Sequence, residues 1–534
     1  MRGTVQCGDQ PTRPPVTGRR NRSATPHQPR LARLVGPALA IAAACALFGC
    51  KAVGPDYQPP QTTLAPFHDV GAAAARQTKT PPPLDTWWTG FNDPVLDRII
   101  ERSLSQNLDL AASLARVEQA RGVAREASAQ LLPTGNLDAH STSLSQSLYS
   151  ELGRFGTGAI PGYFRSGTVY NLGVGASWEI DLFGGLRRGI EAAKAEAVAA
   201  EADHLGERVT IAAEAADAYL QLRGIQARLA IAQQQVDDNT RLLNLVSERV
   251  GGGAAPERET AQAQALLSQA RATIPPLRTA QEAQLNRLDV LMGAQPGTYA
   301  RELAQPADIP ASPGLPVTMT PADMLRHRPD IIAAERRLAA SNAEIGVAIA
   351  EYYPKVSLSG LLGFEALNKG FAPVNLLTPQ AFQPELMSGL QWRLFDFGKI
   401  DAEVAQAKSG KAAALALYRQ AVLHAAEDVE NAFTAFVQLQ SQIHEVSDEV
   451  TSLQRAVHAS QDDYRVGLSP LTDSLDAERQ LLAAQDQLAQ LRADSDRAAV
   501  ATFRAMGGAA GEPPATGKVT RQADATPPNA NVTR

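Results

Sequence analysis

The side chains that usually perform catalysis are present in this chain, but they lack the spacing that catalysis needs. The eight histidines are scattered, and His444-Glu445 lacks the second histidine that a zinc-protease helix requires. No phosphate-binding glycine loop, nucleophile elbow or dinucleotide fingerprint occurs. Paired carboxylates are frequent, but on long helices they usually form solvated faces or i,i+4 partners. The sequence therefore predicts no enzyme activity, no metal site and no cofactor.

The best-placed reactive residue is Cys50, which ends an N-terminal leader. Residues 34–48 form an apolar run behind several arginines, the order of a secretory signal. At about 1.5 Å per residue the run spans roughly 22 Å, less than the ~30 Å core of a bilayer. The last four residues of this segment (LFGC) are typical of a bacterial lipobox, and Lys51 favours export to the outer membrane by analogy with bacterial lipoproteins. We predict a lipoprotein signal peptide over 1–49, acylation of Cys50 and a lipid-anchored extension over 50–92. An ordinary signal peptide with an incidental cysteine is the alternative.

Charge and cysteine content exclude several other classes of protein. The formal net charge is -6, although the first 49 residues carry seven arginines and a single acidic residue, Asp9. The rest of the chain is therefore acidic, and it has no clustered Lys/Arg of the kind that phosphate binding needs, so no nucleic-acid partner is predicted. All three cysteines lie within the first fifty residues, which excludes a disulfide framework in the remaining chain.

The chain contains an internal duplication. One register of 214 residues relates the following pairs: Trp178/Trp392, Phe183/Phe397, Gly184/Gly398, Lys194/Lys408, Tyr219/Phe433, Gly253/Gly467 and Met292/Met506. Upstream the offset becomes 221, so the first copy has seven extra residues, which we place in a loop. The predicted segments are repeat 1 over 93–293, a Pro-rich connector in the equatorial region over 294–319, repeat 2 over 320–507 and a disordered tail over 508–534.

Each repeat is predicted to contain a helix, two strands, a long helix and a half-length helix. In the first repeat the helices are predicted over 94–131, 186–250 and 257–292. At 1.5 Å per residue the long helix would reach about 98 Å and the other two about 57 and 54 Å. Two shorter helices stacked end to end would therefore match the long one.

The long helices carry a seven-residue apolar repeat, which is typical of a left-handed supercoil. In the first repeat its positions are Leu222, Leu229, Val236, Leu243 and Val250, together with Ile225, Ala232, Asn239 and Val246. A further stripe predicts contact with a second neighbouring helix and consists of Leu220, Ile231, Leu242 and Leu245. A plain antiparallel coiled-coil hairpin would also explain the main repeat.

Alternating apolar and polar residues predict strands that end in Trp178–Leu182 and Trp392–Leu394, with partners at 134–144 and 355–364. The first run has about 13 residues, more than the 9 to 11 that a tilted membrane strand needs. Four strands cannot close a barrel, and open sheet edges are not tolerated in lipid. We therefore predict that several chains pool their strands, whereas a soluble half-buried sheet remains the alternative.

Taken in order, these residues resemble the TolC-type outer-membrane efflux factors, in the lipoprotein (NodT-like) branch associated with resistance-nodulation-division pumps. The matching stretches are 50–57 (CKAVGPDY), Trp87-Trp88 with 91–94 (FNDP), 178–184 (WEIDLFG), 328–331 (RPDI) and 395–398 (FDFG). The resemblance implies a mainly α fold with a transmembrane β-barrel portion. It also implies a homotrimer that forms a 12-stranded barrel in the outer-membrane lipid and a 12-helix tunnel. The implied partners are a periplasmic adaptor, or membrane fusion protein, and an inner-membrane resistance-nodulation-division transporter.

The resemblance also assigns roles to the helix–turn–helix tips. The second turn contains Val466, Gly467 and Leu468, and it resembles the tip at which the family docks its adaptor. The first turn has three glycines and no leucine, so equal docking at both tips is in doubt. Asp473 and Asp476 lie three residues apart on one helical face and would form a carboxylate ring, a gate, in a trimer. An exposed aspartate near a helix N-terminus is also explained by the helix dipole alone.

The function that this resemblance implies is a passive outer-membrane exit duct for drugs or other small toxic molecules, gated at its periplasmic helix tips. A duct for protein secretion is one alternative. A lipid-anchored coiled-coil scaffold without a pore is another, although a scaffold has no need for duplicated strands of membrane length.

Overall fold

A computed structural model describes residues 51–61, 64–68, 80–160, 163, 165–315, 320, 327–368 and 375–508. The elements below all lie in the unit Ala52–Arg534. Cys50 and the predicted signal peptide fall outside the described residues, as does the predicted tail beyond residue 508.

Eight helices and four strands organise the described residues, beside a 3-10 helix (Leu84–Phe91) and a one-turn helix (Ala300–Leu303). The helices are α1 (Pro94–Gln106), α2 (Leu108–Ala129), α3 (Glu151–Ala159), α4 (Gly185–Gly251), α5 (Glu257–Leu291), α6 (Pro329–Ala350), α7 (Lys399–Arg465) and α8 (Leu471–Ala505). The strands are β1 (Thr134–Ser145), β2 (Ser166–Ile180), β3 (Lys355–Asn368) and β4 (Phe382–Gln391).

The long and half-length helices follow the duplication residue by residue. Helices α4 and α7 each have 67 residues, and α5 and α8 each have 35. At 1.5 Å per residue, 67 residues extend about 100 Å. The helices predicted over 186–250 and 257–292 are thereby confirmed. No helix among the described residues combines the length and the apolar character needed to cross a bilayer.

The single helix predicted over 94–131 is wrong in one respect, because it divides at Asn107. The backbone of Asn107 is extended. The side-chain Oδ1 of Asn107 accepts hydrogen bonds from the N–H groups of Asp109 and Leu110 and so caps α2. Its Nδ2 donates to the carbonyl oxygen of Leu291 at 3.0 Å. An asparagine that satisfies a helix start and a distant helix end stabilises the break.

The positions of the seven-residue repeat are buried or half-buried, as its period predicts. Val236 packs against Leu267 and Ala270, which lie on α5, and the corresponding seam of α7 packs against α8 through residues that include Val450 and Leu488. The second predicted stripe is only partly confirmed, since Leu245 is 40% exposed.

A larger core surrounds the middle of the helices. Tyr219 and Phe433, which occupy matching positions in the two repeats, are both fully buried there. Trp87 of the 3-10 helix stacks on Phe503 with ring centroids 5.3 Å apart. The N-terminal extension and both repeats therefore share one hydrophobic core.

The strands form one antiparallel sheet in the order β1-β2-β3-β4. The predicted partners at 134–144 and 355–364 are confirmed, with Thr134 opposite Ser177 and Gly173 opposite Gly363. The fourth strand ends at Gln391, so the prediction that it includes Trp392 and Leu394 is wrong. Beyond the strand, the chain turns towards α7 while the Trp392 indole Nε1 donates to the carbonyl oxygen of Tyr352 at 2.9 Å.

Residues 52–57 form a strap across α4 and α6. The N–H of Val53 donates to the carbonyl oxygen of Phe183 at 2.9 Å. The buried guanidinium of Arg188 donates to the carbonyl oxygen of Val53 at 3.0 Å and to the Asp56 carboxylate at 2.7 Å. Gly54 has a φ of +90°, and a Cβ there would lie 2.5 Å from the Cα of Gly346, so only glycine fits.

Candidate functional site

The two turns between long and half-length helices, hereafter the first tip (252–256) and the second tip (466–470), share one backbone geometry. In the first tip the N–H of Gly253 donates to the carbonyl oxygen of Val250 at 3.0 Å; in the second, Gly467 donates to Tyr464 at 3.1 Å. Gly253 has a φ of +73° and Gly467 a φ of +79°. Glycine at these positions allows both helices to end in a tight left-handed turn.

Their side chains differ. The predicted adaptor-contact residues of the second tip project into solvent, with Val466 69% and Leu468 79% exposed. The matching residues of the first tip are Gly252 and Ala254. The second tip thus presents two exposed apolar side chains, whereas the first presents almost none.

The predicted gate residues lie in the first turns of α8. Asp473 and Asp476 are both exposed and are spaced three residues apart on the helix. Asp476 pairs with Arg479 one turn further on, at 3.0 Å, and both side chains are about two-thirds exposed. This partner was missed from the sequence, although its i,i+3 spacing is a detectable signal. The arginine compensates part of the negative charge on this face.

The two tips are joined to each other by a lock made of Arg249, Tyr464 and Glu259. The Arg249 guanidinium lies 4.3 Å from the centroid of the Tyr464 ring and donates to the Tyr464 carbonyl oxygen at 3.0 Å. The Tyr464 hydroxyl donates to Glu259 Oε2 at 3.4 Å, and burial raises the pKa of this tyrosine. Tyr464 occupies the seam position that matches Val250 of the first repeat, but the sequence gave no sign of its two partners.

Next to the lock, a groove of about 470 Å³ between α4 and the α7–α8 hairpin contains buried polar side chains. Glu478 is 8% exposed, and its Oε1 accepts a hydrogen bond from Gln461 at 2.6 Å. Burial raises the pKa of Glu478, and the nearby negative charge of Asp238 adds to this effect. Within the part of the chain that the structure describes, Asn239 Nδ2 and Ser474 Oγ are buried without hydrogen-bond partners. Polar groups that are buried without a hydrogen-bond partner lower the stability of the fold around them.

The described residues contain no group of three or more His, Cys, Asp or Glu side chains arranged to hold a metal ion. Among the described histidines, His204 contacts Ser113 at 2.7 Å, away from the tips.

Comparison with known proteins agrees with this geometry. The family model described as "Outer membrane efflux protein" matches residues 99–294 and 320–508. Nodulation protein T of Rhizobium leguminosarum bv. trifolii is 30% identical over 444 residues, which are 83% of this chain and 91% of that protein. The pyoverdine export outer membrane protein OpmQ of Pseudomonas aeruginosa is 31% identical over 471 residues, 88% of this chain and 96% of that protein.

A solved structure, that of the outer-membrane channel OprN, superposes with a TM-score of 0.77 at 34% identity and covers 85% of this chain and 99% of that one. The family consists of channels rather than enzymes. The chain therefore belongs to the outer membrane efflux protein family, in its NodT-like branch with the TolC-type fold, and is an outer-membrane exit channel that extends into the periplasm.

Proposed function

We propose that three copies of this chain close into one passive duct. The proposal rests on one observation. The sheet and the helical layer each end in an unpaired edge, and their elements follow one another in chain order. The sheet runs from β1 to β4, and among the helices α2 packs on α4, α4 on α6 and α6 on α7. The edges β1 and β4 expose their backbone pairing groups, which lipid does not tolerate.

Closure by neighbouring chains satisfies both edges at once. When β1 of one copy pairs with β4 of the next, α2 of one copy also meets α7 of the next. Both helices carry exposed apolar side chains that this contact would bury: Leu108, Leu114 and Val123 on α2, and Leu417 and Leu423 on α7. Three copies give twelve strands, enough for a barrel with an open interior.

In this assembly the residues at and beside the second tip have two roles, adaptor contact and gating. Val466, Gly467 and Leu468 of the second tip contact the periplasmic adaptor, because they offer the exposed apolar surface that a helical partner can bury. Asp473 and Asp476 of three copies line the periplasmic entrance as a carboxylate ring, whose charges repel one another and attract cations. Arg479 moderates that repulsion through its contact with Asp476.

The cargo that fits this proposal is drugs or other small toxic molecules from the periplasm. The name of one relative gives pyoverdine export as its task, which is the transport of a small molecule. An inner-membrane resistance-nodulation-division transporter supplies the energy. No observation on the chain favours protein secretion or a scaffold without a pore.

We further propose that Cys50 carries the lipid. Cys50→Ser should abolish incorporation of radiolabelled palmitate without abolishing assembly, because the barrel itself holds the protein in the membrane. Palmitate incorporation that persists in this variant would contradict the assignment.

The proposed duct is tested by electron microscopy and native mass measurement of the detergent-solubilised protein. A hollow cylinder with three-fold symmetry and the mass of a trimer is expected, with a helical part roughly 100 Å long. Solid rods of monomers or dimers would contradict the duct and support the scaffold.

A further inference from the structure

Four turns connect the helices to the sheet, and they form two related pairs. Trp178 Nε1 donates to the carbonyl oxygen of Leu131 at 2.9 Å, and Trp392 Nε1 donates to that of Tyr352 at the same distance. These donors and acceptors occupy matching positions in the two repeats. The helix–strand junctions of the repeats are therefore built to one plan.

One aromatic contact in this plan is made within the chain. Phe183, which follows β2, stacks on Tyr353, which precedes β3, with ring centroids 4.5 Å apart and planes at 19°. The contact joins the end of repeat 1 strands to the start of repeat 2 strands. It closes the junction where two neighbouring strands enter the helical layer.

The matching contact for repeat 2 is missing a partner. Phe397 corresponds to Phe183 and is 100% exposed, while Leu132 corresponds to Tyr353 and is 65% exposed. They follow β4 and precede β1, which are opposite edges of the sheet. Phe397 and Leu132 are thus both exposed, although their counterparts Phe183 and Tyr353 contact each other.

The backbone at Phe397 adds an independent observation. Its φ is +54°, in the left-handed region that bulky side chains rarely adopt. Such a conformation persists only when the surroundings enforce it. Asp396 contributes locally, because its Oδ2 accepts a hydrogen bond from the N–H of Ile400 at 2.8 Å and caps α7. In a single chain, however, the strained backbone presents the aromatic ring of Phe397 to solvent, and no described residue covers it.

We propose that Phe397 of one copy packs on Leu132 of the next copy, as the intersubunit equivalent of the Phe183–Tyr353 stack. The inference rests on the proposed trimer and names an apolar contact that closes each of its three seams. A second copy fits better than the bilayer interface, because a lipid contact would not account for the matching position of Leu132. The strained turn is then compensated only in the assembled channel.

Crosslinking tests the contact directly, since the sequence has no cysteine beyond Cys50. The double variant Phe397→Cys/Leu132→Cys, treated in membranes with a short bismaleimide, should give covalent dimers and trimers on a denaturing gel. Each single variant should stay monomeric. As a matched control, Phe183→Cys/Tyr353→Cys should crosslink within the chain, so that the protein still runs as a monomer on the denaturing gel.

Two outcomes overturn the inference. A protein that has trimer mass but gives no crosslink in the double variant would exclude this contact and leave the proposed duct intact. Absence of trimer mass in the unmodified protein would instead contradict the proposed function as well.

Substitution provides a second readout. Phe397→Ala should lower the temperature at which trimers dissociate by several degrees. Phe395→Ala should have little effect, because its counterpart in repeat 1 is Asp181, which makes no ring contact. Equal effects of the two substitutions would assign Phe397 to the lipid interface and overturn the proposal.

Discussion

The first and second tips have the same backbone and different surfaces. Both turns place a glycine at positive φ and close through the same hydrogen bonds, yet only the second carries the exposed side chains of Val466 and Leu468. Glu259 of the first hairpin accepts a hydrogen bond from the Tyr464 hydroxyl, whereas its counterpart in the second hairpin, Asp473, is exposed. The two hairpins therefore share a backbone geometry but differ in their side chains, which hold the tips together in the first and are exposed and apolar in the second.

The largest expected effect follows from placing charge on the apolar contact surface. Val466→Asp/Leu468→Asp should abolish export, because the desolvated contact with the adaptor loses about 2 kcal/mol or more, roughly 30-fold in affinity. The matched pair Gly252→Asp/Ala254→Asp should have little effect. Drug susceptibility of cells and adaptor binding by the purified channel measure both. Equal losses of export and adaptor binding in the two double variants would contradict a functional difference between the tips.

A smaller but direct effect is expected at the entrance. Asp473→Ala/Asp476→Ala should raise single-channel conductance several-fold, because the shorter side chains widen the entrance that the aspartates line. Gln262→Ala, at the position that matches Asp476, should leave it unchanged. An unaltered trimer with unchanged conductance would exclude these aspartates as the gate.

Next in size is the lock between the tips. Arg249→Ala removes a cation–π contact and a hydrogen bond, together about 1–2 kcal/mol, so local amide exchange at the first tip should accelerate roughly ten-fold. The control Arg465→Ala should change exchange much less, because its partner Asp462 is 72% exposed and such pairs contribute little. Hydrogen-exchange mass spectrometry of residues 246–260 distinguishes the two.

The smallest effect concerns Glu478, whose counterpart in the first hairpin is Gln264. Because burial raises its pKa, the folded protein favours the protonated carboxyl, and this contribution to stability is lost as the pH rises above the ordinary value of 4.5. Glu478→Gln should therefore raise the melting temperature at neutral pH and change it little at pH 4. Glu445→Gln, on an exposed site of α7, is the control, and a shift of similar size there would refute the role of burial.

Much of the fold could be predicted from the sequence because local patterns determine it. The ends of α4 and α5 are marked by glycine and proline, and the alternation in β2 and β4 locates the sheet, with β1 and β3 as their partners. The division at Asn107 could not be predicted, because it depends on a carbonyl nearly two hundred residues away.

The candidate site was less accessible to sequence analysis. Val466 and Leu468 were identified through the family resemblance of their turn, and the structure finds them exposed. The contacts of Arg249 with Tyr464 join residues 215 positions apart, and no local pattern encodes such a pair. The burial of Glu478 likewise arises only when α4 packs beside the α7–α8 hairpin.

The strap of residues 52–57 has a consequence for the order of events during synthesis. It is the first part of the unit Ala52–Arg534 to be made, but its seat includes Asn342, whose Nδ2 donates to the carbonyl oxygen of Pro55 at 2.8 Å across 287 positions. At about 5–20 residues per second, the seat is completed roughly 15 to 60 s after the strap. Until then only the part of the seat around Phe183 and Arg188 is available to the strap. Its full docking comes late, and a protease-resistant strap marks a chain in which α6 of the second repeat has packed on α4 of the first.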